Sequence, residues 1–218
     1  MFAYPLSNTA AIVLAALALL LCAEAARRAR WEAAIGEHVH WAVVTALVLL
    51  GHRMTVDLPS GLTLHYLGSA FATLLLGYPR ALLSMALVLA AEAARTDAWS
   101  HWGLKLLLSG ALPIVTMWAI VGACRRWLPR NPFVFLLGCG LFGQFAAYSV
   151  QLWAGALAYL ALAPAVPPDF LEGILPYALL LATGESWLEG MLVTLLVVYM
   201  PGSVRLFDEG FYLSRRGA

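Results

Sequence analysis

The sequence predicts an all-α polytopic membrane protein, and three observations lead to that prediction. Hydrophobic residues make up 62% of the 218 residues, and only 11% of the residues are charged. A soluble domain typically carries about 25% charged residues, so this chain is too apolar to cover a water-facing surface. The apolar residues also occur in long runs that are separated by charged or turn-forming residues. We therefore expect one integral membrane domain over residues 1–218, rather than a disordered chain or a disulfide scaffold.

Seven apolar segments are candidates for crossing the membrane. A transmembrane helix needs about 20 apolar residues to span about 30 Å of hydrocarbon. Prolines and glycines at 59–61 and 77–79 predict turns on either side of the third segment, and the proline-rich stretch 163–169 separates the last two. We therefore expect about seven transmembrane helices. Their expected positions are 7–26, 41–56, 62–76, 80–94, 102–124, 131–163 and 171–199.

The basic residues predict the orientation of these helices. If the amino terminus is outside, ten of the 13 Lys and Arg residues fall on one side of the membrane and three on the other. The positive-inside rule assigns the basic side to the cytoplasm. We expect an amino terminus outside, a carboxyl terminus in the cytoplasm, and a location in the bacterial inner (cytoplasmic) membrane. The net charge of +1 gives no electrostatic reason to expect nucleic-acid binding.

Four polar residues near the expected outer face are candidate metal ligands. They are His52, Asp57, His65 and His101, with His65 expected about one turn into the third helix. Imidazole and carboxylate suit borderline divalent ions such as nickel, cobalt, zinc or copper. The alternative for His52 and His101 is that each merely lies in the headgroup region.

A second group of polar residues falls inside the expected membrane helices. Glu185 and Glu189 lie four residues apart and therefore on one face of the last helix. An acidic residue at the bilayer centre costs about 2.5–3.5 kcal/mol, so both should face the protein interior or a wet cavity. Gln144, Tyr148 and Gln151 form a polar stripe on the sixth helix, for which hydrogen bonding between helices is the simplest interpretation.

Two stretches resemble a known transporter family. The segment GLTLHYLG at 61–68, with LLLG at 74–77, resembles the core motif of the CbiM/NikM permeases, and GMLVT at 190–194 with the preceding Gly184 and Glu185 is similar to that family's closing helix. Those proteins are substrate-binding components of energy-coupling-factor transporters for cobalt and nickel. The resemblance implies the fold and a metal ion as substrate. It also implies a transmembrane coupling subunit and cytoplasmic ATPases as partners.

The resemblance further implies a metal site, from which this sequence departs at one position. In that family the ion is held by a free amino terminus, a histidine directly after the initiator Met, and the histidine that His65 matches. Here Phe2 follows Met1, so the Met-His start is absent. His52 and Asp57 precede the His65 motif instead, and they are candidates for the remaining positions. The chain therefore resembles a divergent branch of the family.

The leading hypothesis is a membrane permease or substrate-binding subunit for a divalent transition metal ion. No GxxxxGK[ST] motif occurs, so ATP hydrolysis would come from separate partners, or transport would be passive or ion-coupled. The alternative is a haem-binding electron-transfer or assembly protein, because His38 and His52 lie 14 residues apart on one segment. An enzyme is not expected, since HExxH and a GxSG-type turn are both absent.

Overall fold

The computed structural model describes residues 5–57, 63–163 and 170–213. These ranges form helices almost throughout, with one two-stranded hairpin, which confirms the all-α membrane fold. The elements are α1 Asn8–Arg28, α2 Ile35–His52, β1 Thr55–Asp57, β2 Thr63–His65, α3 Ser69–Leu76, α4 Tyr78–Thr96, α5 Trp99–Trp127, α6 Val134–Leu162, α7 Phe170–Tyr199 and α8 Glu209–Tyr212.

Four helices in the described ranges are long and apolar enough to cross a membrane, judged by length and composition. They are α1, α5, α6 and α7, which contain 21 to 30 residues each. Helices α2 and α4 contain 18 and 19 residues. At 1.5 Å per residue they are about 27 and 29 Å long, which is close to the thickness of the hydrocarbon core.

Helices α2 and α4 run parallel to each other. At their amino-terminal ends, Arg80 Nη1 lies 3.3 Å from Glu37 Oε2, and at their carboxyl-terminal ends His52 Nε2 lies 3.1 Å from Glu92 Oε2. The chain between two parallel helices must return from one end of the bundle to the other. We call the end with His52, Glu92 and the β1–β2 hairpin the hairpin end, and the end with Glu37, Arg80 and Arg205 the basic end.

This return is not a transmembrane helix, so the prediction of seven such helices is wrong at the third segment. Only the eight residues of α3 are helical, and the chain before them is the strand β2 followed by a short non-helical linker. Gly68 and Gly77, with φ of 64° and 74°, bound α3 in conformations that only glycine adopts readily. His65 therefore lies in a strand. The error arises because a short, continuous run of apolar residues is consistent with either a buried strand or a buried helix.

This partly non-helical return, which we call the third pass and which comprises β2, the linker 66–68 and α3, is compatible with a membrane because other parts of the protein cover it. All eight residues of α3 are buried. Non-helical backbone is tolerated at membrane depth where neighbouring elements, rather than lipid, surround it. The inside–outside orientation stays a prediction from the charge distribution.

Helix α1 approaches α5 closely at one glycine. A Cβ atom added at Gly103 would lie 2.5 Å from the backbone nitrogen of Ala15 in α1. Gly103→Ala should therefore push the two helices apart and cost about 1–3 kcal/mol, as overpacking typically does. We expect a lower thermal unfolding midpoint for the purified protein in detergent. The matched control is Gly122→Ala in the same helix, where a Cβ meets nothing within 4 Å. Equal midpoints for the two variants would contradict the close approach.

Candidate metal site at the hairpin end

The hairpin brings two of the predicted histidines together. Strand β2 pairs antiparallel with β1, and Thr55 lies opposite His65 in this register. His52, at the end of α2, packs against His65 with ring centroids 4.1 Å apart. Both residues are buried, with 6% and 7% of their surface exposed. Two residues 13 positions apart in sequence therefore form one site.

The hydrogen bonding of His65 leaves one ring nitrogen available for a ligand. Its Nδ1 lies 3.1 Å from the carbonyl oxygen of Tyr66, which can only accept a hydrogen bond. Nδ1 therefore donates, and Nε2 keeps its lone pair. Histidines that bind metals typically donate their other ring N–H to a carbonyl or a carboxylate in this way.

The contacts of His52 are different. Its Nδ1 lies 2.9 Å from the carbonyl oxygen of Tyr66, and its Nε2 lies 3.1 Å from Glu92 Oε2. Both neighbours are acceptors, so the ring makes both bonds only when both of its nitrogens carry hydrogen. His52 can therefore bind an ion through Nε2 only if that ion replaces the contact with Glu92.

A cavity of about 270 Å³ opens between these residues. Since one water molecule takes up about 30 Å³ of liquid, the cavity has room for an ion with several waters. Its lining mixes imidazole, hydroxyl, carboxylate and basic groups. The residues are His52, Thr55, His65, Glu92, Arg95, Thr96 and Lys105.

The other two predicted ligands, Asp57 and His101, are not among the described residues that line this cavity. Asp57 lies opposite Thr63 in the hairpin register, two residues along β2 from His65, and its side chain is outside the described part of the structure. His101 does not line the cavity, and its Nδ1 lies 3.1 Å from the hydroxyl oxygen of Ser100. Within the described ranges, no three His, Cys, Asp or Glu side chains form a ready group of metal ligands. The four-residue ligand set thus stays a prediction.

The buried glutamates of α7 hold the segment that follows His65. Glu185 Oε2 accepts a hydrogen bond of 2.8 Å from the backbone N–H of Leu67. Glu189 accepts hydrogen bonds from the hydroxyl groups of Tyr148 in α6 and of Tyr66. Both glutamates are buried, as expected for carboxylates in a membrane helix. They fasten the non-helical linker of the third pass to α6 and α7.

The polar stripe on α6 has mixed contacts. Gln151 accepts a 3.4 Å hydrogen bond from the hydroxyl of Ser69 at the start of α3, which joins two elements as the sequence interpretation expects. The amide of Gln144 instead donates to the carbonyl oxygen of Gly140 in its own helix. The stripe therefore supports the third pass through Tyr148 and Gln151.

The structure adds three residues to the site that the sequence did not indicate. Glu92 contacts His52, Lys105 forms an ion pair with Glu92, and the Tyr66 carbonyl accepts from both histidines. An acidic residue inside an apolar segment was the available signal, because such a residue needs a partner.

The haem alternative gains no support from these contacts. His38 lies near the opposite end of α2 from His52, and its Nε2 lies 3.1 Å from the carbonyl oxygen of Trp31. Both ring nitrogens of His52 contact oxygen atoms as well. An axial bond from His52 to a haem iron would require one of its two contacts to be broken.

Comparisons with known proteins agree with the fold and identify the family. The family model described as CbiM, cobalt uptake substrate-specific transmembrane region, matches residues 3–203. One solved structure, described as a transition metal transporter, has a TM-score of 0.73 at 18% identity and covers 95% of this chain and 100% of its own. A second, described as a truncated transition metal transporter, has a TM-score of 0.71 at 17% identity and covers 90% and 95%. No curated protein matches the chain. The chain therefore belongs to the CbiM family of cobalt uptake transmembrane regions, as an integral membrane component of metal transport rather than an enzyme.

Proposed function

We propose that this chain captures a divalent transition metal ion at the hairpin end, with His65 as the central ligand and His52 beside it. The observation that supports this most strongly is the hydrogen bond from His65 Nδ1 to the Tyr66 carbonyl, because it orients the ring and leaves Nε2 with a lone pair. His65 also lines a cavity that can hold the ion. Asp57 remains a candidate for a further position in the coordination shell.

The donor atoms favour ions of intermediate softness. Imidazole nitrogen suits nickel, cobalt, zinc and copper, whereas magnesium and calcium prefer several carboxylate or carbonyl oxygens. The matching family model is described by cobalt uptake. We therefore propose nickel or cobalt as the substrate, with copper and zinc as the ions that an experiment must compare.

Energy for transport is proposed to come from other subunits. The sequence contains no Walker A motif, and a cobalt uptake family of this type fits a multi-subunit transporter. We propose a transmembrane coupling subunit and cytoplasmic ATPases as partners. The positive-inside rule would place the basic end at the cytoplasmic face of a bacterial inner membrane. An ion captured at the hairpin end would then be taken up from outside.

The test is metal retention by the purified full chain in detergent. The protein would be stripped with a chelator, incubated in parallel with Ni²⁺, Co²⁺, Cu²⁺ and Zn²⁺, desalted, and assayed by mass spectrometry of the metals. We expect about one ion per chain for at least nickel or cobalt, because the two histidines that are packed together line a single cavity at the hairpin end. Failure to retain any of the four ions would overturn the proposal and leave an assembly role as the better explanation.

A further inference from the structure

Lys105 is the single lysine of the sequence, and it reaches into the proposed metal site. Its ammonium nitrogen lies 2.8 Å from Glu92 Oε1, and the side chains of the two residues are only 15% and 17% exposed. The other carboxylate oxygen, Glu92 Oε2, lies 3.1 Å from His52 Nε2. Both oxygens of the carboxylate are therefore paired with protein groups.

This pairing decides the charge that the cavity presents to an ion. Among the described residues of the lining, Glu92 is the one carboxylate, whereas Arg95 and Lys105 both have basic side chains. Without counting the imidazoles, these groups sum to +1, so the lining offers no net negative charge. Hard divalent ions such as Mn²⁺ and Ca²⁺ depend on anionic oxygen ligands to compensate for the loss of their water.

The same arrangement lowers the affinity for an ion that prefers imidazole ligands much less than the affinity for a hard ion. Ni²⁺ or Co²⁺ gains strong bonds to nitrogen, and Nε2 of His65 is already arranged to form one. Lys105 therefore occupies the Glu92 carboxylate, which hard ions need as a ligand, and leaves the His65 imidazole available to borderline ions.

We infer that Lys105 determines ion selectivity: its ammonium group occupies the Glu92 carboxylate as a tethered cation, so the site accepts borderline ions through imidazole and rejects hard ions. This inference rests on the proposed function, since it concerns the selectivity of the same site. When Lys105 is removed, Glu92 becomes available as an anionic oxygen ligand beside the two histidines.

The experiment measures the affinities of the purified full chain for Ni²⁺ and Mn²⁺ by competition, in the wild type and in Lys105→Met. We expect the Ni²⁺-over-Mn²⁺ preference to fall by about tenfold or more, because one unit of positive charge disappears and one carboxylate is freed close to a divalent ion. Lys105→Gln is a second variant, with a polar side chain, in case the methionine variant does not fold.

Two further variants separate the ion pair from general electrostatics. Arg95→Gln also removes one positive charge from the lining, but Arg95 lies outside the Glu92–Lys105 pair, so both affinities should shift by a similar factor. The double variant Glu92→Gln/Lys105→Met should lose the gain in Mn²⁺ affinity, because the freed carboxylate is gone.

The outcomes distinguish this inference from the proposed function. A wild type that binds Ni²⁺ and a Lys105→Met variant with an unchanged Ni²⁺-to-Mn²⁺ ratio would overturn the selectivity role alone. An equal loss of preference in Arg95→Gln would also overturn it, since any basic residue would then suffice. A wild type that binds neither ion would overturn both proposals.

Discussion

His65→Ala should abolish the retention of nickel or cobalt by the purified chain. The substitution removes the imidazole whose Nε2 carries a lone pair, while His52 keeps its contacts with Tyr66 and Glu92. Loss of a residue that merely orients a metal ligand typically costs about 10–100-fold in affinity, and loss of the ligand itself should cost more. The measurement is metal content per chain after desalting, supported by isothermal titration.

The matched control for this prediction is His38→Ala. His38 lies on the same helix as His52 but near its amino-terminal end, far along α2 from the hairpin. Its replacement should leave metal content at the wild-type level. Equal retention by His65→Ala and the wild type would show that the ion, if it binds, is held elsewhere.

Glu185→Leu should weaken both the fold and metal binding. The carboxylate accepts the 2.8 Å hydrogen bond from the Leu67 N–H, and it is 7% exposed. Leaving a buried backbone N–H without an acceptor costs about 1–3 kcal/mol. Leu67 lies two residues after His65, so the linker that positions the imidazole should loosen. We expect a lower unfolding midpoint together with about tenfold weaker Ni²⁺ binding. That factor is typical for the loss of a residue that holds a metal ligand in place.

Glu185→Gln separates the positioning role from the charge of the carboxylate. Glutamine has nearly the same shape, and its carbonyl oxygen can still accept from the Leu67 N–H. This variant should restore both the unfolding midpoint and the Ni²⁺ affinity close to wild-type values. If the glutamine and leucine variants lose metal binding equally, the negative charge rather than the hydrogen bond is what the site requires.

Much of the fold could be predicted from individual runs of residues. The apolar runs placed the four longest helices within about three residues of their positions, whereas α2 begins at Ile35, well before its expected start at residue 41. The third pass could not be predicted in this way. Its apolar residues suit a buried strand as well as a helix, and only the neighbours that cover it decide between the two.

The candidate site was predictable in part. His65 was found from its motif and His52 from its place at the end of an apolar segment, and the structure brings their rings to 4.1 Å. Glu92 and Lys105 were not found, because they lie on different helices and neither is adjacent in sequence to the histidines. Contacts between separate helices leave no periodic pattern that a single sequence can reveal.

The sequence by itself determined that this protein is α-helical and that it is a membrane protein. Those properties follow from the free-energy cost of placing a charged group in hydrocarbon. This cost depends on the chemistry of each residue and on its depth in the membrane. Only the tertiary structure decided which polar groups meet: the two histidines, the Glu92–Lys105 pair, and the Glu185 anchor of the third pass. The physical reason is that a hydrogen bond or an ion pair forms only over about 3–4 Å, and chain folding alone sets that distance.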